Sequence, residues 1–252
     1  MKHDSQAYLE RKRFFDSLIT IYGRHSVMEA LQDETITCHK LHLSKSNKPD
    51  GIIKKMIALA ESKGVEIEEH DKEKLSRISK NAKQDQGVAA DIVASNYKEA
   101  ASFFENAPSS YRLLALDGIH NPQNLGMIIR SAAAGNIDGI LLPKKGSAKL
   151  SPLVMKASAG TLFKIDILYC DSLEDVLEEL DDTAIYALSS HAKQTIHDLT
   201  PSARSIFVLG NESEGVSDAV TNLCNASLGI PMNRGVESLN VAVTAALIAF
   251  MR

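Results

Sequence analysis

Apolar positions change rhythm along this chain, and the changes mark its elements. In "DGIIKKMIALAESKG" (50–64), Ile52, Ile53, Met56, Ile57 and Ala60 recur at three- and four-residue spacing, the signature of one helix face, and Gly64 is placed to close it as a C-cap. "GRHSVMEALQ" (23–32) predicts a shorter helix, while "KLHLS" (40–44), "VEIEEH" (65–70) and "GVAADIV" (87–93) predict strands. Together they outline a small α/β unit over 21–94, preceded by an extension over 1–20. "ASNYKEAASFFENAPSSYR" (94–112) has small and polar residues around Pro108, so 95–111 is expected to be a linker. Beyond it, "RLLALDG", "GILLP", "FKIDILY", "TAIYALS" and "SIFVLG" are five apolar, β-rich runs separated by helical stretches. That order predicts an α/β fold over 112–252: a mostly parallel sheet with helices on its faces, and ligand chemistry beyond the carboxyl ends of its strands.

Three loops of this second unit are candidates for that chemistry. The first lies in "LDGIHNPQNLGMIIRSAAAGNIDGILLP" (116–143), a strand–loop–helix–strand unit in which Asn124 is a good N-cap and Gly135 a good C-cap. Leu125, Ile128, Ile129, Ala132 and Ala133 share one helix face and Arg130 points away from it. Gly126 and Ala134, one turn to either side, leave its guanidinium uncovered; Gly is costly inside a helix, and packing alone gives no reason for it at 126. Arg130 is then either an ordinary exposed side chain or one held for a ligand. The second loop, in "SIFVLGNESEGVSDAV" (205–220), has Gly210 and Gly215 bracketing a polar turn, with Ser217 able to cap the next helix. It reads as an acidic βα loop with routine turn glycines, or as a backbone grip on an adenosine moiety, with Glu212 fixing a ribose or a neighbouring Arg. It is not a nucleophile elbow, because Ser213 lies three places after Gly210. The third, "IPMNRGVESLNVAVTAALIAFMR" (230–252), ends in an apolar helix that Ser238 can cap. Asn240 then lies inside an apolar helix, where its amide must find an outside partner.

Composition narrows the field. At 252 residues, with 44% hydrophobic and 24% charged residues, the chain has the profile of an ordinary globular protein. The absence of Trp and the 5% of aromatics leave few platforms for stacked bases. Cys38, Cys170 and Cys224 are scattered, which fits reduced thiols in a cytosol better than disulfides. The first fifteen residues contain no apolar signal segment, so a cytoplasmic protein is expected. The histidines show no metal-ligand spacing, no G-x-G-x-x-G follows a strand, and no phosphate-loop sequence occurs. Metallohydrolases, dinucleotide oxidoreductases and phosphate-loop enzymes are therefore disfavoured, and no metal is expected. The formal charge is −4, yet between Arg112 and Lys164 seven Lys/Arg face only Asp117 and Asp138, a local basic stretch.

The stretches "NPQNLGMIIRSA", "LGNESEGVS" and "IPMNRGVESLNVAV", in this order, resemble the SpoU (TrmH) branch of the SPOUT methyltransferases, firmly over 112–252. Residues 21–94 look like that family's accessory RNA substrate-binding domain. The resemblance implies methyl transfer from S-adenosylmethionine to a ribose 2′-hydroxyl of RNA, most like the branch acting on guanosine of large-subunit rRNA. A tRNA enzyme, a resistance-conferring rRNA enzyme, and a non-catalytic RNA-binding or assembly factor are the alternatives. It also implies a trefoil knot in the C-terminal portion and a homodimer whose sites are completed across the interface, with no membrane partner. Carried over by position, Arg130 is the catalytic group, as base or as phosphate clamp, with Asn124, Glu212, Ser238 and Asn240 orienting it and the ribose. Leu209, Gly210, Ile230, Met232 and Leu239 would hold the cofactor. Ala242 stands where the family often has a small polar residue, so any role of that hydroxyl is absent. The basic loop with Lys144, Lys145 and Lys149 would hold RNA backbone, and Arg24, Lys40, Lys45 and Lys48 would extend the footprint.

Overall fold

The computed structural model describes residues 18–251, apart from 35, 49–50, 81–83 and 94–95. Most of the expected extension therefore lies outside the described residues. The chain divides into two compact units, Met1–Ser95 and Asn96–Arg252.

In the first unit, β1 (Leu18–Tyr22), β2 (Thr37–Ser44), β3 (Glu66–His70) and β4 (Val88–Val93) form a sheet in the order β1-β4-β2-β3. β2 and β3 are parallel and the other pairs antiparallel. Alternation divides its faces. Ile19, Ile21, Leu41, Leu43, Ala90 and Ile92 are buried together with Val27 and Leu31 of α1 (Arg24–Gln32) and Ile53, Met56 and Ala60 of α2 (Gly51–Ser62). The opposite face carries Thr20, Asp91, His42 and His70, and α3 (Lys72–Ser79) contacts that sheet. β1 begins inside the segment expected to be an extension, because Leu18–Tyr22 pairs in register with Ala89–Val93.

The second unit is built on eight strands, all parallel: β5 (Tyr97–Glu99), β6 (Tyr111–Leu116), β7 (Gly139–Pro143), β8 (Asp166–Cys170), β9 (Ala184–Leu188), β10 (Gln194–Thr195), β11 (Arg204–Leu209) and β12 (Ala226–Gly229). Their order is β10-β12-β9-β11-β6-β7-β8-β5. The helices are α4 (Ala100–Glu105), α5 (Pro122–Ala134), α6 (Pro152–Ala157), α7 (Leu173–Glu178), α8 (Asp218–Thr221) and α9 (Val241–Ala249). The central strands are buried on both faces, which explains their unbroken apolar runs. No helix among the described residues is long and apolar enough to cross a membrane.

Two expectations need correction here. The stretch 95–111 is not a linker: it supplies β5, an edge strand paired with β8, and α4. Phe103 and Phe104 of α4 stack edge-on against Tyr111, 5.6 and 6.1 Å between centroids, so aromatic burial outweighs the small polar residues beside them. Gly126 is likewise demanded by packing. A Cβ there would lie 2.5 Å from the Ala157 Cβ and 2.6 Å from the Val154 carbonyl oxygen, so α6 rests directly on the α5 backbone. Gly135 does end α5, but with φ −106; its small size serves the approach of Ala249, whose carbonyl accepts from the Asn136 N–H at 2.7 Å.

Gly126→Ala should therefore destabilise the protein by about 1–3 kcal/mol, overriding the roughly 1 kcal/mol that alanine gains in helix propensity. The midpoint of urea unfolding reads this directly; a raised midpoint would show that α6 does not sit so close.

Candidate active site

All three candidate loops lie beyond the carboxyl ends of parallel strands, where such sheets place their ligands. After β6 the chain turns at Gly118, φ +70, and enters α5. The N-cap of α5 is Asn121, whose Oδ1 accepts from the Gln123 N–H at 2.9 Å, with Pro122 in the first turn. Asn124, expected as the cap, instead sits inside the first turn and is buried. The pair "NP" is itself a helix-start signal, since proline at the first helical position gives up no intrahelical bond. With the cap supplied by Asn121, Asn124 is free for a different task.

That task is to bridge the other two loops. Its Nδ2 donates to Glu212 Oε1, and its Oδ1 accepts from Asn240 Nδ2 at 3.2 Å. A carboxylate only accepts, so the nitrogen of Asn124 must face Glu212 and its oxygen must face Asn240. Asn240 is not inside the last helix but is its N-cap: Oδ1 accepts from the Ala242 N–H at 2.9 Å. Ser238, expected in that role, stands two residues earlier on an exposed segment outside any helix or strand. An amide serves here better than a hydroxyl. One atom satisfies an orphan helix N–H while the other reaches across to Asn124.

The second loop closes on itself through Asn211 N–H to Gly215 O, 3.0 Å, and Gly215 N–H to Asn211 O, 2.8 Å. A Cβ on Gly210 would lie 2.0–2.1 Å from backbone atoms of Gly215 and Val216, so only glycine fits. Asn211 Nδ2 donates to the Gly118 carbonyl at 3.0 Å, and Asp117 Oδ2 accepts from the Ser217 N–H at 2.8 Å. The first and second loops are thus riveted together. Ser217 caps α8 as expected.

The remaining site residues fall into two groups. Leu209 is buried at the end of β11; Ile230 and Met232 are half-buried, and Leu239 is exposed. Val236 beside them is 52% exposed. Among the described residues, Val236 N–H to Asn233 O, 3.3 Å, is the one backbone bond within 231–239, so this segment presents apolar side chains and uncommitted backbone polar groups together. Arg130 is exposed on α5 and has no ion pair or side-chain hydrogen bond among the described residues. Six residues of helix set it about 9 Å along the axis and about 120° around from Asn124. The structure therefore unites Asn124, Glu212 and Asn240 and leaves Arg130 on a different face. Cysteine chemistry is absent from the site: burial pushes the Cys38 and Cys224 thiols up to about 11 and Cys170 up to about 12.

Of the basic residues, Lys145 and Lys149 are exposed, whereas Lys144 pairs with Glu99 at 2.9 Å and Asp171 at 3.4 Å. Its pKa is raised, first by the hydrogen bond to Glu99. Arg24 is half-buried and braces a turn, donating through Nε to the Gln86 carbonyl at 3.3 Å. Lys40 pairs with Glu66 and Glu68, and Lys45 with Asp71, while Lys48 is exposed.

A parallel α/β sheet with interlocked loops at its carboxyl edge, one of them offering free backbone, defines a cofactor-binding α/β domain. Residues 111–250 match the SpoU rRNA Methylase family, and residues 20–98 match the RNA 2′-O ribose methyltransferase substrate-binding family. A TrmH-family protein of Staphylococcus saprophyticus, of the tRNA/rRNA methyltransferase class, is 31% identical over 237 residues, covering 92% of this chain and 94% of the relative. One from Staphylococcus epidermidis is 32% identical over 241 residues, covering 92% and 94%. The SpoU methyltransferase AviRb from Streptomyces viridochromogenes, solved with AdoMet, shares the fold at TM-score 0.74 with 20% identity, covering 95% of this chain and 90% of that one. The chain belongs to the SpoU family of RNA methyltransferases.

If Asn240 caps α9, Asn240→Ala should cost about 1 kcal/mol of stability, and Asn240→Ser, which keeps the cap but loses the bond to Asn124, should recover only part of it. Urea unfolding of the two variants checks this; equal losses would show that capping contributes nothing.

Proposed function

We propose that this protein transfers the methyl group of S-adenosylmethionine to a ribose 2′-hydroxyl of RNA, with a guanosine of large-subunit rRNA as the first candidate and tRNA as the near alternative. The observation that carries the reading is the Asn240–Asn124–Glu212 chain of hydrogen bonds, which joins the three motif loops into one polar site. The cofactor fits the residues present: Gly210 admits no side chain against the Gly215 backbone, and 231–239 offers uncommitted N–H and C=O groups beside Val236 and Leu239. Those features suit an adenosine moiety, recognised by backbone polar groups and apolar contact. When bound, S-adenosylmethionine supplies an electrophilic methyl on a cationic sulfur. Leu209, Gly210, Ile230, Met232 and Leu239 would hold it, and the crossing of 230–240 past the 210–215 loop would form the trefoil knot. Glu212, its free oxygen steered by Asn124, would orient the ribose hydroxyl or an incoming guanidinium, and Ser238 would assist from the same edge. Arg130 clamps the phosphate beside the target ribose and favours loss of the hydroxyl proton; a guanidinium normally stays protonated, so electrostatic help is the better description.

A second copy of the chain completes the site. Val243, Leu247 and Phe250 lie on one face of α9 and are 48, 41 and 59% exposed. They border an open groove of about 560 Å³ with Ile196 and Leu199, and Met127, one turn before Arg130, is also exposed. Exposed apolar surface of this kind marks an interface. Arg130 of one copy would then reach the Asn124–Glu212 pair of the other. Lys145 and Lys149 remain open to RNA phosphates, and the exposed Lys144 pair is weak enough for a phosphate to replace. The cytoplasm, where these RNAs are found, would be its compartment.

Arg130→Ala should lower single-turnover methyl transfer by about 10²–10³-fold while leaving S-adenosylmethionine binding, read by calorimetry, within about twofold. Unchanged transfer removes Arg130 from the mechanism. Mixing Arg130→Ala with Asn124→Ala chains should restore transfer, because a mixed dimer has one intact composite site. Mixtures as inactive as their components would place both residues in a single chain's site. Mapping ribose methylation in total RNA of a deletion strain separates rRNA from tRNA.

A further inference from the structure

We propose that His42, Glu68 and His70 form a binding site for one divalent transition-metal ion, such as zinc, on the sheet of the first unit. Spacing along the chain gives no sign of it, because the two histidines are 28 residues apart and meet only through strand pairing. β2 and β3 run parallel in a register that sets His42 opposite Glu68 and Ser44 opposite His70. Alternation then directs His42, Glu68 and His70 to one face.

One ligand atom from each of the three lies within 4.8 Å of the others. His42 Nδ1 and His70 Nε2 are 2.9 Å apart, close to the roughly 3.3 Å between neighbouring ligand atoms of a tetrahedral zinc centre. Behind them, His42 Nε2 lies 3.0 Å from Asp91 Oδ2, and Asp91 Oδ1 accepts from the Thr20 hydroxyl at 2.6 Å. That carboxylate fixes the proton of His42 on Nε2 and leaves the Nδ1 lone pair facing His70, the arrangement that backs metal-bound imidazoles.

With both rings neutral, the metal-free arrangement leaves a deficit. Both imidazoles are buried, at 5 and 2% exposure. If His70 Nε2–H donates to His42, then His70 Nδ1 carries a bare lone pair, buried without a hydrogen-bond partner and 3.6 Å from Glu68 Oε1. A lone pair facing a carboxylate calls for a cation. An ion held by His42 Nδ1, His70 Nε2 and a carboxylate oxygen of Glu68 replaces the shared proton, and His70 Nδ1 then carries the ring's hydrogen on the side of Glu68 Oε1. Glu68 can reach it, since its side chain is 40% exposed and its other partners are Lys74 and Lys40, the latter also held by Glu66. Two imidazoles and a carboxylate suit zinc, cobalt or nickel, with water completing the shell on the open Glu68 side. Through Asp91 and Thr20 the ion would link all four strands of the sheet.

The test is titration of the untagged, chelator-treated full chain with Co²⁺, followed by visible absorption and calorimetry, with Zn²⁺ as competitor. One Co²⁺ per chain with four-coordinate absorption bands is expected, displaced by Zn²⁺, with thermal stability rising as either ion binds. Asp91→Asn should weaken binding by about 10–100-fold, as loss of an outer-shell partner does. Glu68→Gln, on the exposed side, should weaken it at least as much while leaving the circular dichroism of the metal-free chain unchanged, so a folding defect in Asp91→Asn does not decide the matter. Absence of binding by the folded wild-type chain, or binding that both variants retain in full, overturns the proposal. S-adenosylmethionine binding is independent of this site and should be unaltered in Glu68→Gln, which separates this test from that of the methyl-transfer reading.

Discussion

A single buried amide holds the active end of the second unit together. Asn124 is fixed to α5 and bonded on one side to Glu212 and on the other to Asn240. Glu212 belongs to the loop after β11, and Asn240 opens the last helix. Neither neighbour could be exchanged for the other, because the carboxylate needs a donor and the Asn240 amide, its oxygen already committed to the cap, needs an acceptor. A residue with both capacities on one rigid fork meets the two demands at once. Asn124 is the buried member, and leaving its amide unsatisfied would cost on the order of 1–3 kcal/mol, enough to let one loop drift from the others.

Around that bridge, backbone constraints do the rest. Gly210 has no room for a side chain against Gly215 and Val216, and Asn211 ties the same loop to Gly118. Gly126 and Gly135 play a different part, letting α6 and the end of α9 press on α5. The helix that carries Asn124 is therefore clamped along its length, by packing at its body and hydrogen bonds at its start. Loops held this way keep backbone N–H groups at fixed positions, which is what recognition of a ligand by main chain requires.

Much of this was legible from residue patterns, and the misreadings have physical causes. The central strands announce themselves because a parallel sheet buried on both faces must be apolar throughout. β5 and β10 escape notice because two or three residues are too few to show a period. Asn124 and Ser238 look like caps because cap preference is a statement about residue type, not place; the true caps, Asn121 and Asn240, lie only two or three residues away. Gly126 looked like a ligand signal because the helix that rests on it is thirty residues downstream. The histidine pair is invisible for the same reason, since register between strands is not written in the spacing along one of them.

The position of Arg130 carries the remaining step. Arg130 is exposed on one face of α5, while the polar site gathers at the start of that helix, about 9 Å along the axis and about 120° around it. In the proposed dimer, two-fold symmetry would close that gap: a contact that offers Arg130 to a neighbour's Glu212 would receive the neighbour's Arg130 in return. The exposed apolar residues of α9 and Met127 supply surface for such a contact. On this view the last helix has one purpose at each level. Its N-cap amide completes the polar bridge, its inner face, with Ala245, Ile248 and Ala249, fills the core, and its outer face, with Val243 and Leu247 exposed, would meet the second copy in the proposed dimer.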